Sequence, residues 1–174
     1  SILAIDTTGH VWAWGRNDKG QLGIDSISPK ISTPTRVNIG EQPVDTEDQL
    51  SNNGYLSDIV DIAIGGLTND AGFAIFLAHG GVVYGAGDNA YNQLSSSKED
   101  KYYSTPVKIA EAVGQIAIGK SATAHMLRLD GSVYSQGKGN KYEYGSSDYE
   151  DNEDFRAGTA ELEYRAMAIG AGAE

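Results

Sequence analysis

The chain has 174 residues, with 13 Lys and Arg against 24 Asp and Glu, a formal net charge of −11. A surface this acidic repels phosphate at long range, and binding to DNA or RNA by bulk electrostatics is not expected, because phosphate contacts need clustered Lys and Arg, of which only the scattered Lys138 and Lys141 offer a trace. Absence of cysteine removes disulfides, thiolate metal sites and a cysteine nucleophile, and no apolar run nears the roughly 18 residues that a bilayer span requires.

Glycine is abundant, at 22 residues, and proline scarce, at 4, which reads as many tight turns between short strands. In chain order the first such strand is Gly9-His-Val-Trp-Ala-Trp-Gly15, entered through Thr8-Gly9. Side chains alternate faces along a strand, so Val11 and Ala13 share one face and Trp12 takes the other. A polar loop follows from Arg16 to Gly23, then Ser32-Thr33-Pro34. Residues 39–58 are a polar stretch with no counterpart later in the chain. They carry Glu41, Asp45, Glu47 and Asp48 and read as a surface loop inserted between strands. Ile62-Ala-Ile-Gly65 is a strand in which small Ala63 stands between larger neighbours.

The same elements then return. Gly81-Val-Val-Tyr-Gly-Ala-Gly87 and Gly131-Ser-Val-Tyr-Ser-Gln-Gly137 align without gaps on Gly9–Gly15, with Val third, an aromatic fourth and Gly seventh. Ile116-Ala-Ile-Gly119 and Met167-Ala-Ile-Gly170 repeat the block ending at Gly65. Ser104-Thr105-Pro106 repeats Ser32-Thr33-Pro34, each proline 19 residues after the glycine that closes its strand. Leu127 to Tyr134 reads as strand, turn, strand. Asp130-Gly131 there supplies the positive φ angles of a two-residue hairpin, as Thr8-Gly9 and Gly80-Gly81 would.

Gly65, Gly119 and Gly170 lie 54 and 51 residues apart. Joined to the strand-like alternation, that period belongs to propeller blades rather than helical solenoids. The chain divides into three repeats of a single propeller segment spanning 1–174, near 1–65, 66–119 and 120–174, with the 39–58 insertion in the first. The spacings at its two ends fit a whole number of repeats cut at one phase, and a start at Ser1 fits a processed chain or an excerpt.

Val11-Trp-Ala-Trp-Gly-Arg-Asn-Asp-Lys-Gly-Gln-Leu-Gly23 closely resembles the signature of the regulator-of-chromosome-condensation repeat family. The second copy keeps Gly87-Asp-Asn89 and Gln93-Leu94, with Asn92 and Ser95 where the first has Gly20 and Gly23. The third keeps Gly137 and Gly145 but has Glu143-Tyr144 for Gln-Leu. His125 and Leu129 partly match the stretch that follows the family's Ile-Ala-Ile-Gly strand. The resemblance implies an all-β fold of four-stranded antiparallel blades, three of the seven in a propeller. Three blades do not close such a ring, so further repeats or other chains are expected to complete it. A three-blade stack alone is expected to expose two aromatic-bearing faces.

Candidate sites each have a plain structural reading. Trp12 and Trp14 evoke a plant ultraviolet receptor of this fold, but that receptor's Gly-Trp-Arg-His-Thr string is absent and they read as packing between blades. His10 and His79 flank hairpin turns and His125 lies near a strand start, where each reads as structural or solvated. Asp148-Tyr-Glu-Asp-Asn-Glu-Asp154 is the densest acidic run. Its spacing does not match an EF-hand, and it reads first as a solvated loop, with a cation or a basic partner as the alternative occupant. Gly85-Ala-Gly87 and Gly137-Lys-Gly139 precede no helix and are turn glycines rather than phosphate loops.

No catalytic residue, cofactor or metal is expected. The favoured function is a non-catalytic protein–protein interaction scaffold, because function on such rigid folds sits on the loops. The contact residues would be Glu41, Asp45, Glu47, Asp48, Asp148, Glu150, Asp151, Glu153 and Asp154, with neither nucleic acid nor membrane as partner. The resemblance also implies guanine-nucleotide exchange on a small GTPase as an alternative. A regulatory propeller on a larger enzyme, such as a ubiquitin ligase, and a prokaryotic surface protein are the others.

Overall fold

The computed structural model describes residues 1–39, 51–52, 54–66, 72–94, 100–119, 122–138, 156–159 and 165–171. Among them every regular element is a β-strand. The first group is β1 (Ile2–Ile5), β2 (Val11–Asn17), β3 (Ser28–Arg36), β4 (Ser51–Asn52) and β5 (Tyr55–Leu56). The second is β6 (Ile59–Gly65), β7 (Phe73–Ala78), β8 (Val83–Asp88) and β9 (Tyr102–Ala110). The third is β10 (Val113–Gly119), β11 (Thr123–Arg128), β12 (Val133–Gly137) and β13 (Arg156–Thr159).

Strands adjacent in sequence pair antiparallel in three successive sheets, β1-β2-β3, β6-β7-β8-β9 and β10-β11-β12-β13, with β4 and β5 forming a small pair between the first and second. The fold is all-β and propeller-like, as the repeats imply. The Ile-Ala-Ile-Gly block is the first strand of a sheet, so the sequence boundaries at 65 and 119 fall one strand inside the second and third sheets. The first sheet has three strands among the described residues.

The hairpins β1–β2, β7–β8 and β11–β12 differ from the two-residue turns expected. Asp6 N donates to His10 O at 2.9 Å and Gly9 N to Asp6 O at 3.0 Å, which closes a three-residue loop. Ala78 with Val82 and Gly81, and Arg128 with Ser132 and Gly131, repeat the pattern. Only the glycine turns left-handed, with φ of 78° at Gly9, 81° at Gly81 and 85° at Gly131. This is a turn followed by a glycine bulge, for which one positive φ suffices. The residue before the glycine therefore varies freely among Thr8, Gly80 and Asp130.

Each hairpin glycine also hands the chain to the next blade. Gly9 O accepts from Ile59 N at 3.1 Å, Gly81 O from Val113 N at 3.0 Å and Gly131 O from Ala166 N at 2.9 Å. The third of these bonds ties residues 165–171 to the third sheet as β6 and β10 are tied to the sheets before them.

The alternation along β2 and β8 sorts the core into two junctions. Val11, Ala13 and Leu22 of the first sheet meet Ala74, Phe76, Tyr84 and Ala86 of the second. Phe73, Ile75, Leu77, Val83 and Leu94 on the other face of the second meet Ala124 and Met126 of the third. Phe73 and Phe76, three residues apart on opposite faces of β7, are both fully buried, and each such burial stabilises by about 1.5–3 kcal/mol.

The stack has a direction. The aromatic of each third strand points to the sheet before it: Tyr84 toward the first, Tyr134 toward the second. One outward face therefore carries aromatics, Trp12 and Trp14 on the first sheet, which lie outside both cores. On the third sheet the strand residues facing away from the second are His125, Leu127 and Ser135, of which Leu127 and Ser135 are buried.

Candidate functional site

The polar residues of the repeat signature build two matching loops. Asn17 Oδ1 accepts from Leu22 N at 3.0 Å, and its Nδ2 donates to Ser26 O at 2.8 Å. Asn89 does the same with Leu94 N at 3.0 Å and Asp100 O at 2.9 Å. Gln21 Oε1 accepts from Lys19 N and Gln93 Oε1 from Tyr91 N, both at 2.9 Å. Asn17, Gln21, Asn89 and Gln93 are all buried, and so are Leu22 and Leu94, which each loop tucks into the core. A buried amide left without partners costs about 1–3 kcal/mol, so these side chains are spent on fixing the loop backbone.

The loops also seat on the next sheet. A Cβ at Gly87 would stand 3.0 Å from Gln21 Cα, and one at Gly137 would stand 3.1 Å from Gln93 Cβ. Gln136 Nε2 crosses the same junction to Gln93 O at 2.8 Å.

At the opposite end of the strands, Asp6 organises the first hairpin. Its carboxylate accepts from the Thr8 hydroxyl at 2.6 Å, Thr8 N at 2.9 Å, Trp12 Nε1 at 2.9 Å and His10 N at 3.2 Å. The Thr8 hydroxyl and the Trp12 indole hold the Asp6 carboxyl well below the usual carboxylate range. Ser132 lowers Asp130 in the same way, and the Arg16 guanidinium lowers Asp18. Burial raises the Tyr134 phenol.

The histidines have local partners. His10 Nδ1 lies 2.7 Å from the Thr8 hydroxyl, His79 N donates to Asp58 O at 2.9 Å, and His125 Nδ1 lies 2.8 Å from the Ser135 hydroxyl. The three belong to different sheets or turns and converge on no common point. Trp12 and Trp14 are half-buried on the outward face, where the Arg36 guanidinium lies 6.0 Å from the Trp12 ring and 4.2 Å from that of Tyr55. Among the described residues no three His, Asp or Glu side chains gather in a way that would hold a metal ion.

All nine acidic residues named as partner contacts lie outside the described residues: Glu41, Asp45, Glu47, Asp48, Asp148, Glu150, Asp151, Glu153 and Asp154. The strands that bracket them are described. β3 ends at Arg36, which pairs with Trp12 beside the hairpins, whereas β12 ends at Gly137 beside the braced loops. The two connections therefore leave opposite ends of sheets about 20 Å deep. Sequence reading named the acidic residues and missed the bracing role of Asn17, Gln21, Asn89 and Gln93. The signal was the repeated Asn, then Gln-Leu four and five residues on.

Three stacked antiparallel sheets with one hairpin type, one hand-over bond and one braced loop, each repeated in register, define a β-propeller repeat chain. Residues 8–67 match the regulator of chromosome condensation (RCC1) repeat, and the chain resembles proteins of that repeat family. Protein RCC2 homolog of Xenopus laevis is 26% identical over 147 residues, covering 84% of this chain and 24% of that protein. Probable E3 ubiquitin-protein ligase HERC3 of Homo sapiens is 30% identical over 152 residues, covering 86% of this chain and 13% of the ligase. The chain thus spans a quarter or less of the length of these relatives. Among solved structures, Prp20p of Saccharomyces cerevisiae, described with binding properties to Gsp1p and histones, superposes with a TM-score of 0.75 at 18% identity, over 98% of this chain and 39% of that one. Human WBSCR16 does so with a TM-score of 0.62 at 18% identity, over 89% and 34%. At such identities the likeness is one of fold.

Proposed function

We propose that this chain is a non-catalytic scaffold for protein partners, forming part of a propeller that further repeats or other chains complete. The observation that carries this reading is where the polar chemistry lies. The buried amides Asn17, Gln21, Asn89 and Gln93 are committed to the chain's own loops, while the nine acidic residues named above fall in sequence between β3 and β4 and between β12 and β13. Rigid sheets that hold variable loops suit binding rather than chemistry. The net charge of −11 favours basic protein surfaces and opposes nucleic acid. Prp20p, of the same fold, is described with protein partners, Gsp1p and histones.

Affinity capture with the full chain tests the reading. One variant carries Gln or Asn at Glu41, Asp45, Glu47 and Asp48, and the other at Asp148, Glu150, Asp151, Glu153 and Asp154. Because the connections leave opposite ends, each variant is expected to lose a different set of partners. Capture unchanged by both variants would remove the loops from the proposal.

The fold shared with Prp20p favours one alternative, guanine-nucleotide exchange on a small GTPase. Release of labelled nucleotide from a panel of small GTPases, accelerated at catalytic amounts of the chain, would put that reading first.

A further inference from the structure

The two junctions share their seat, and among the side chains at which they differ is one pair that carries charge. Between the first and second sheets, Lys19 Nζ lies 3.8 Å from Asp88 Oδ1, and the Asp88 side chain is only 3% exposed. Between the second and third, the corresponding residues are Tyr91 and Lys138. The Lys138 ammonium lies 4.6 Å from the centre of the Tyr91 ring and 3.5 Å from its hydroxyl. In each case the strand residue directly follows the closing glycine, Gly87 or Gly137. The loop residue is the fourth after the preceding sheet's glycine, Gly15 or Gly87.

One junction is an ion pair with the cation on the loop, the other a cation–π contact with the cation on the strand. The halves do not interchange. Lys19 set against Lys138 opposes two ammonium groups, and Tyr91 set against Asp88 takes the Lys19 ammonium away from a buried carboxylate.

The rest of each loop varies in step. Where the residue after the glycine is basic, as Arg16, Gln21 Nε2 finds its acceptor in Asp18 at 3.1 Å. Where that residue is Asp88, Asp88 itself accepts from Gln93 Nε2 at 2.9 Å, and the place of Asp18 is taken by Ala90. The choice of charge at the junction is thus written into the loop behind it.

We propose that these two positions form a latch that selects which blade sits beside which, Lys19–Asp88 at one junction and Tyr91–Lys138 at the next. The latch adds order to that of the apolar faces, where Val11 and Val83, and Leu22 and Leu94, recur at equivalent places in successive sheets.

Transplanting one latch onto the other junction tests this. The full chain first receives Ala90→Asp, giving Gln93 the acceptor that Asp18 gives Gln21. Lys19→Tyr and Asp88→Lys are then made singly and together. Each single change is expected to lower the thermal midpoint by about 2–4 °C. The double variant rebuilds a Tyr–Lys latch and is expected to return to within about 1 °C of its background. A double variant that loses the sum of the two single shifts overturns the latch. Should Asp88→Lys not fold, Lys19→Met and Asp88→Asn give the same cycle. There, non-additive losses support the latch and additive losses overturn it.

Discussion

The Cα of Gln21 stands 3.0 Å from the point where Gly87 would carry a Cβ, and the contact crosses from the first sheet to the second. The Gly72 carbonyl oxygen at 2.5 Å and Phe73 Cα at 2.7 Å close the same point from within the second sheet. All three obstacles are backbone atoms, and Gly87 has a φ of 110° that side chains rarely adopt. Gly87→Ala is therefore expected to cost about 3 kcal/mol or more. Denaturant unfolding should show a lower midpoint at unchanged slope. An alanine variant as stable as the parent would mean that loop and strand do not seat this closely.

Asn89 gives a separate measure of the loop. Asn89→Ala leaves Leu94 N and Asp100 O without their side-chain partners. The expected loss is about 1–3 kcal/mol. Hydrogen exchange at the Leu94 amide should quicken with it, because that amide is held by the removed oxygen. Asn89→Asp keeps the acceptor for Leu94 N but loses the donor to Asp100 O, so it should protect the Leu94 amide better than alanine does. Equal exchange in the two variants would contradict the assigned bond.

How legible these features were depended on how local their causes are. The faces of Val11, Val83 and Val133 follow from strand alternation, and their register from a gapless repeat, so the sequence carries both. The hairpin was misjudged because Asp130-Gly131 suits a two-residue turn as well as the observed bulge. The choice between them rests on the backbone bond from Gly131 N to Arg128 O. The bracing amides were visible as letters and not as chemistry, since Asn89 reaches Asp100, eleven residues on. The direction of stacking was invisible for the same reason. Periodicity says that Trp12 and Val11 face apart, but only packing says which of them meets another sheet.

Asp6 predicts a pH dependence. Its folded carboxyl is held below the ordinary value of 3.8 by Thr8 and Trp12. A depressed folded pKa contributes stability that is complete above the unfolded value and is lost as pH falls through it and below. Asp6→Asn removes that titration. The variant should be less stable than the parent near neutral pH, and the gap should narrow as pH drops below about 4. Midpoints measured for both from about pH 7 to about pH 2 decide this, and curves that stay parallel throughout would take Asp6 out of the acid response.

Trp14 tests the outward face of the first sheet. It pairs with Ile2, which is 50% exposed, and stands where the second and third sheets have Ala86 and Gln136. Those two are buried against the preceding loop, whereas Trp14 lies outside both cores. Phe76, on β7 and fully buried between sheets, provides the contrast. Phe76→Ala should cost about 3–5 kcal/mol, the range for a large aromatic removed from a packed core. Trp14→Ala should cost less, because Trp14 is half-buried and lies outside both cores. Trp12 and Trp14 are the chain's two tryptophans, so fluorescence reports on this face alone. Acrylamide should quench it readily in the folded chain. A Trp14→Ala cost equal to that of Phe76→Ala, with weak quenching, would show that something covers the face in solution, and sedimentation would then reveal whether a second copy does so.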